Sequence, residues 1–258
     1  KDSPYVNVPY LGTYYYLLNT AKPPLDDVRV RQALAMAVDR ERLINSVMHG
    51  STVPAYGITP PGTLGYQPPT LFGHDLVRAR ELLAEAGYPD GAGWPGLELT
   101  YNTSESHLKI AVALQKMWKD ALNIDVTLAN QEWKVYLDSV DQMSFQMARR
   151  GWIGDYVDPN NFLDLFLCGG GNNNTGFCDP RYDDLVKRQA PRATSREERY
   201  AIFSAAETLL MEQMPILPIY TYTSNHLIHP SVQGMPSNLM DAVNFKYVAL
   251  DKNSKAAE

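Results

Sequence analysis

An α/β fold with an at least partly parallel sheet is what this 258-residue chain predicts, on three observations. Segments with strand character at 97–101, 124–129 and 145–152 are separated by stretches of helical length, the alternation expected of βαβ units. Those intervening stretches carry apolar residues at helical spacing; Leu108, Ala111, Leu114 and Trp118 mark the longest of them. Capping residues stand at their starts, and turn-forming residues interrupt them.

Each element follows in order. Residues 5–19 read as extended, rich in aromatic and β-branched residues, and Pro23-Pro24 ends them. Asp26 or Asp27 caps a helix carrying Val30, Leu34 and Val38, and a second helix is expected over 40–48. Residues 50–74, rich in Gly, Pro and Thr, form a long irregular loop. Asp75 caps a helix that Gly87 stops. A strand over 97–101, a helix over 104–122 and an alternating strand over 124–129 follow. Then come a short helix over 132–140, a strand over 145–152 and turn chemistry from Gly154 to Pro159. Helices are expected near 161–167, over 180–189 and over 195–214, the last opened by a Ser195/Glu198 capping box. A strand over 216–222 precedes a mixed tail.

Composition narrows the function. Acidic residues outnumber basic ones 29 to 23 with no basic stripe, which argues against nucleic acid as a partner. No apolar run is long enough to span a bilayer, and no signal peptide is read at the polar start. The absence of an initiating Met is read as a processed or excised chain. Cys168 and Cys178 bracket a Gly- and Asn-rich run whose unfolded-state entropy a disulfide would reduce; two packed thiols are the alternative. The disulfide is the expectation, and with it an oxidising compartment. No catalytic elbow, metal motif or phosphate loop is present, so neither a cofactor nor a metal is expected.

Two residues stand out chemically. Strand alternation places Arg149 beside Phe145 and Met147 on the buried face, where a charge needs either an internal partner or a ligand. Arg150 falls on the opposite face with Gln146 and is read as solvated. Asp155 follows the strand, at the position where α/β sheets place ligand contacts, although an Asx-type turn also suits it.

The string from Gly151 through Trp152, Asp155 and Pro159, ahead of Phe162-Leu163, resembles the signature of oligopeptide- and dipeptide-binding proteins of ABC importers, the family 5 extracellular solute-binding proteins. The resemblance continues at 23–34, 54–61, 82–88, 101–107 and 130–134, in the family's order and over its carboxyl-terminal part. It implies a single lobe of a two-lobed periplasmic-binding-protein-like fold, a mixed sheet flanked by helices. Residues 20–215 are expected as the ligand-binding lobe, 1–19 as crossing strands toward a missing amino-terminal lobe, and 216–258 as the return segment.

By this resemblance Asp155 pairs with a peptide's α-ammonium, Arg149 meets its terminal carboxylate and His107 serves longer ligands. Asn102, Trp133, Trp152, Tyr10 and Tyr15 match cleft-lining positions, although each aromatic also reads as core. Val140 stands where some enteric oligopeptide binders carry a second arginine, and the cysteine pair resembles the dipeptide branch. The implied function is capture of short peptides between two lobes, with closure presenting a surface to the membrane permease of an importer, outside the cytoplasm and lipid-anchored in a Gram-positive organism. No enzymatic activity is expected. The alternatives are a same-family receptor for nickel, haem or a sugar, and a hydrolase using Asp155 with Asp158.

Overall fold

Short polar side chains start the helices. Asp27, Asp39 and Asp75 sit in extended backbone and accept a hydrogen bond from an amide two or three residues ahead. Each thus satisfies a first-turn donor of α1 (Val28–Met36), α2 (Arg40–Val47) and α3 (Leu76–Glu85). The computed structural model describes residues 4–251; the outermost parts of the expected segments 1–19 and 216–258 lie outside the described residues.

β1 (Tyr5–Leu18) precedes these helices, and β2 (Val53–Pro54) follows α2. Next come β3 (Leu97–Asn102), α4 (Glu105–Leu122), β4 (Val126–Gln131), α5 (Trp133–Asp141) and β5 (Met147–Ile153). Two short helices, α6 (Asn160–Leu163) and α7 (Pro180–Asp184), lead to the long α8 (Arg196–Gln213) and to β6 (Ile216–Leu227). The sheet order is β2-β6-β1-β5-β3-β4, parallel among β3, β4 and β5 and antiparallel around β1. This is an α/β lobe with a mixed sheet flanked by helices.

Adjacent residues of β1 show the two layers. Tyr14 points toward α4 through His107, whereas Tyr15 points the other way, edge-on to Phe166. Residues 11–18 of β1 are buried throughout, while residues 5–9 pair with β6 alone and are far more exposed. Trp118 ties the first layer together by donating its indole N–H to Leu34 O at 2.9 Å.

The structure departs from the sequence reading in several places. β5 begins at Met147; the Asn19 amide takes up the Phe145 carbonyl, which the longer expected strand would have used. β6 runs five residues past Tyr222, since its outer half finds a partner in β1, a long-range pairing that local pattern does not show. Glu198 of α8 reaches back to the Thr194 amide, one residue beyond the usual capping-box partner.

The long loop after α2 is held by a buried carboxyl group. Glu207 of α8 is fully buried and accepts from the Ile58 and Thr59 amides at 2.8 and 2.9 Å and from the Tyr66 hydroxyl at 2.9 Å. Gly57 permits the approach, for a Cβ there would lie 2.5 Å from Glu207 Oε1. Two buried arginines work conversely. Arg31 donates to the Gln213 and Met214 carbonyls that end α8, and Arg40 donates to Pro218 O. Cations are favoured at such helix carboxyl ends.

Cys168 and Cys178 form a disulfide with Cα atoms 4.6 Å apart. The enclosed turn is pinned by Asn173, whose amide donates to the Phe166, Leu167 and Phe177 carbonyls.

Two stability predictions follow from these features. Reducing the disulfide should cost about 3 kcal/mol by loop entropy, read as a lowered midpoint in urea. Burial raises the Glu207 carboxyl to about 7, above its unfolded value. Its contribution is therefore greatest below the unfolded pKa and declines as pH rises toward 7. Glu207→Gln removes that dependence, so the melting temperature of the variant relative to wild type should climb between pH 5 and pH 8. A constant difference would contradict the buried-carboxylate account.

Candidate functional site

Parallel strands share a carboxyl end, and here β3, β4 and β5 end at the same edge where β1 enters and β6 leaves. Open α/β sheets bind ligands at such an edge. Most of the residues singled out from sequence gather on its two faces.

On the first face β1 and β6 present Tyr14, Tyr16, Tyr220 and Tyr222 around Arg149. Tyr14 and Tyr220 stack at 4.8 Å, and the Arg149 guanidinium lies over the Tyr14 ring at 4.7 Å. Arg149 Nη2 donates to Tyr222 Oη at 3.2 Å, and the Tyr136 hydroxyl of α5 donates to the Arg149 carbonyl. Gly151 makes this possible: a Cβ at that position would meet Tyr222 Oη at 2.6 Å. Arg149 has no carboxylate partner among the described residues, and its Nε is buried without a hydrogen bond.

His107, in the first turn of α4, sits 3.3 Å from the Tyr14 hydroxyl through Nδ1. Burial, aided by the Arg149 charge, lowers its pKa to about 4. Burial raises the Tyr14 phenol to about 12. Both are neutral at pH 7, so the cluster carries the single formal charge of Arg149, held against aromatic faces rather than an acid.

On the second face Trp152 and Asp155 meet through one residue. Asn161 Oδ1 accepts from Trp152 Nε1 at 2.8 Å and from the Asp155 amide at 3.2 Å, and Asn161 is only 3% exposed. The Asp155 carboxylate is exposed and makes no hydrogen bond or ion pair among the described residues. Nearby Asp158 is bound by both Arg199 amino groups at 2.6 and 2.9 Å. Asp164 is pushed up by its burial and then by the Asp155 charge, so Asp155 adds to a local negative field. Asp158 is committed to Arg199, so it is not a free partner carboxylate for Asp155.

The remaining residues are spread more widely. Trp133 is exposed and stacks on Tyr136 at 6.0 Å. Asn102 ends β3 opposite Gln131. Tyr15 is buried in the core under Phe166, and Tyr10 lies on the outer half of β1, half-buried. The structure thus joins His107 with Arg149, and Trp152 with Asp155, on opposite faces of one edge. Tyr14, Tyr222, Tyr136, Asn161 and Gly151 were missed. Alternation through Tyr14-Tyr15-Tyr16 was the available signal, since it sends Tyr14 to the Arg149 face. Arg150, read from sequence as solvated, is half-buried in the structure.

The lowered histidine pKa is directly measurable. The His107 ring resonances should titrate near pH 4 and remain those of neutral imidazole from pH 5.5 upward; a midpoint near 6.5 would contradict the packing described.

Residues 1–174 match the family described as bacterial extracellular solute-binding proteins, family 5 Middle. The chain is 44% identical over 237 residues to the periplasmic murein peptide-binding protein MppA of Escherichia coli, covering 89% of this chain and 44% of that protein. The solved structure of E. coli MppA, a murein tripeptide binding protein, superimposes with a TM-score of 0.85 at 41% identity, over 96% of this chain and half of the other. Haemophilus influenzae OppA in complex with the peptide RPPGFSPFR gives 0.80 at 34% identity, again over 96% and 50%. The chain spans about half the length of the curated relatives it matches. It belongs to the family 5 bacterial extracellular solute-binding proteins.

Proposed function

We propose that this chain is the ligand-binding lobe of an extracytoplasmic receptor that captures short peptides and delivers them to the membrane permease of an ABC importer. One observation carries the reading: a carboxylate, Asp155, and a half-buried guanidinium, Arg149, each without an ionic partner among the described residues, stand along one sheet edge. A zwitterionic peptide supplies both missing charges. The Arg149 guanidinium leans toward Gly151, four residues short of Asp155. His107 would bond the peptide beyond its ends, while Asn102, Trp133, Trp152 and Tyr10 would line the cleft, with Tyr15 supporting it from beneath. The relatives named for peptides support the substrate class.

In this reading residues 20–215 form the lobe, and the outer halves of β1 and β6 lead toward the rest of the receptor. Those halves pair only with each other, from Tyr5 with Leu227 to Pro9 with Thr223. Closure of a second lobe over the edge would remove the charged termini from water, where exposed pairs contribute only about 0 to 1 kcal/mol. The periplasmic location of the relatives and the disulfide both favour a site outside the cytoplasm.

Calorimetry with the full-length receptor tests the assignment. Asp155→Asn leaves the peptide ammonium desolvated and unpaired, a loss of about 2 to 5 kcal/mol, so affinity should fall tenfold or more. Acetylating the peptide's amino terminus should weaken wild type by a similar factor, and the two changes should be strongly non-additive. Arg149→Gln should respond instead to amidation of the carboxyl terminus. Equal affinities of wild type and Asp155→Asn for free and acetylated peptides would make Asp155 a turn residue and overturn the reading.

A further inference from the structure

We propose that Arg150 is a second carboxylate-binding cation, one that selects peptides bearing an acidic side chain; this rests on the peptide reading above. Arg150 follows Arg149 on β5 and therefore points to the opposite face, the face of Trp152. The antiparallel register sets it opposite Tyr15. The parallel register, Thr100 with Ala148, continued by two residues, brings it level with Asn102, which is itself paired with Gln131. Three neighbouring strands thus present Gln131, Asn102 and Arg150 in one row across the carboxyl edge, the first two paired at a strand spacing of about 4.8 Å.

Two members of that row are unsatisfied within the lobe, and the third lacks a counter-ion among the described residues. Asn102 Oδ1 and Gln131 Oε1 are buried and accept no hydrogen bond. Arg150 is half-buried and forms no ion pair with a carboxylate among the described residues. Its neighbours are phenols: it hydrogen-bonds Tyr15, and its charge acts on Tyr15 and Tyr136, both of which burial holds protonated. Buried polar groups are normally paired, and two orphaned acceptors in line with an uncompensated guanidinium call for a polar group from outside.

The chemistry of that group is constrained. The guanidinium requires an acceptor, best a carboxylate bound through two N–H groups, while the amide oxygens require a donor. An aspartyl or glutamyl residue in a bound peptide brings both, its side-chain carboxylate and its backbone N–H. A purely apolar side chain would leave the two amide oxygens without partners and the guanidinium without a counter-ion. Arg150 lies on the Trp152 side, and its side chain extends from a point about 16 Å along the strand from Asp155, so the second or third peptide residue is the one within reach.

The experiment uses the full-length receptor and four peptides: Ala-Glu-Ala, Ala-Ala-Glu-Ala and their glutamine counterparts, titrated calorimetrically at low salt. Wild type should bind the glutamyl member of at least one pair about tenfold more tightly than the glutaminyl member. Arg150→Gln should bring that ratio to within about twofold, and Arg150→Lys should retain part of it, because charge persists but the bidentate fork does not. A wild-type ratio near one, or a preference that survives in Arg150→Gln, would overturn the Arg150 assignment while leaving the peptide reading intact. Failure of wild type to bind any of the four peptides would instead overturn the peptide reading and this inference with it.

Discussion

Alternation along β1 is the constraint from which the arrangement follows. This strand lies between β5 and β6, antiparallel to both, and its consecutive tyrosines must point to opposite sides. Tyr14 and Tyr16 build an aromatic wall on one face, and Tyr15 packs into the other. Because Arg149 pairs with Tyr16 and Gly151 with Tyr14, the guanidinium has an aromatic surface and a gap left by glycine in which to lie. A shift of register by one residue would exchange the two faces and bury Arg150 in place of Arg149.

Charges in the lobe are held in two ways. Asp158, which serves the fold, is neutralised by a permanent ionic partner, Arg199. At the carboxyl edge Arg149 is oriented by tyrosines and the Asp155 backbone by Asn161, all of them neutral groups. Neutral supports fix direction without cancelling charge, which leaves the field available to a ligand.

Much of this was legible from residues alone where the signal was local. The aspartate caps of α1 and α3, the helical spacing in α4 and the cysteine pair are short-range features, and each stands where expected. The placement of Arg149 on the apolar face of its strand also followed from period two. What escaped depended on contacts between distant segments. The outer half of β6 exists because β1 lies beside it, more than two hundred residues away in sequence. Asn161 looked like an ordinary helix-start residue, and its bonds to Trp152 and Asp155 require the turn that only the folded chain supplies. Glu207 reads as part of an amphipathic helix, and its burial depends on a loop from the first quarter of the chain.

The shared hydrogen bond of Trp152 has an optical consequence. Of the four tryptophans, Trp118 is sealed in the core on Leu34 O, Trp94 bonds Asp125 O, and Trp133 is exposed over Tyr136. Trp152 alone hangs from the same amide oxygen that holds the Asp155 backbone. The indole excited state is strongly dipolar, so a cation arriving at Asp155 alters the field along that ring and displaces its emission. The lobe thereby contains an intrinsic fluorophore wired to one end of its proposed cleft, while Trp94 and Trp118, which lie outside that cleft, supply a steady background.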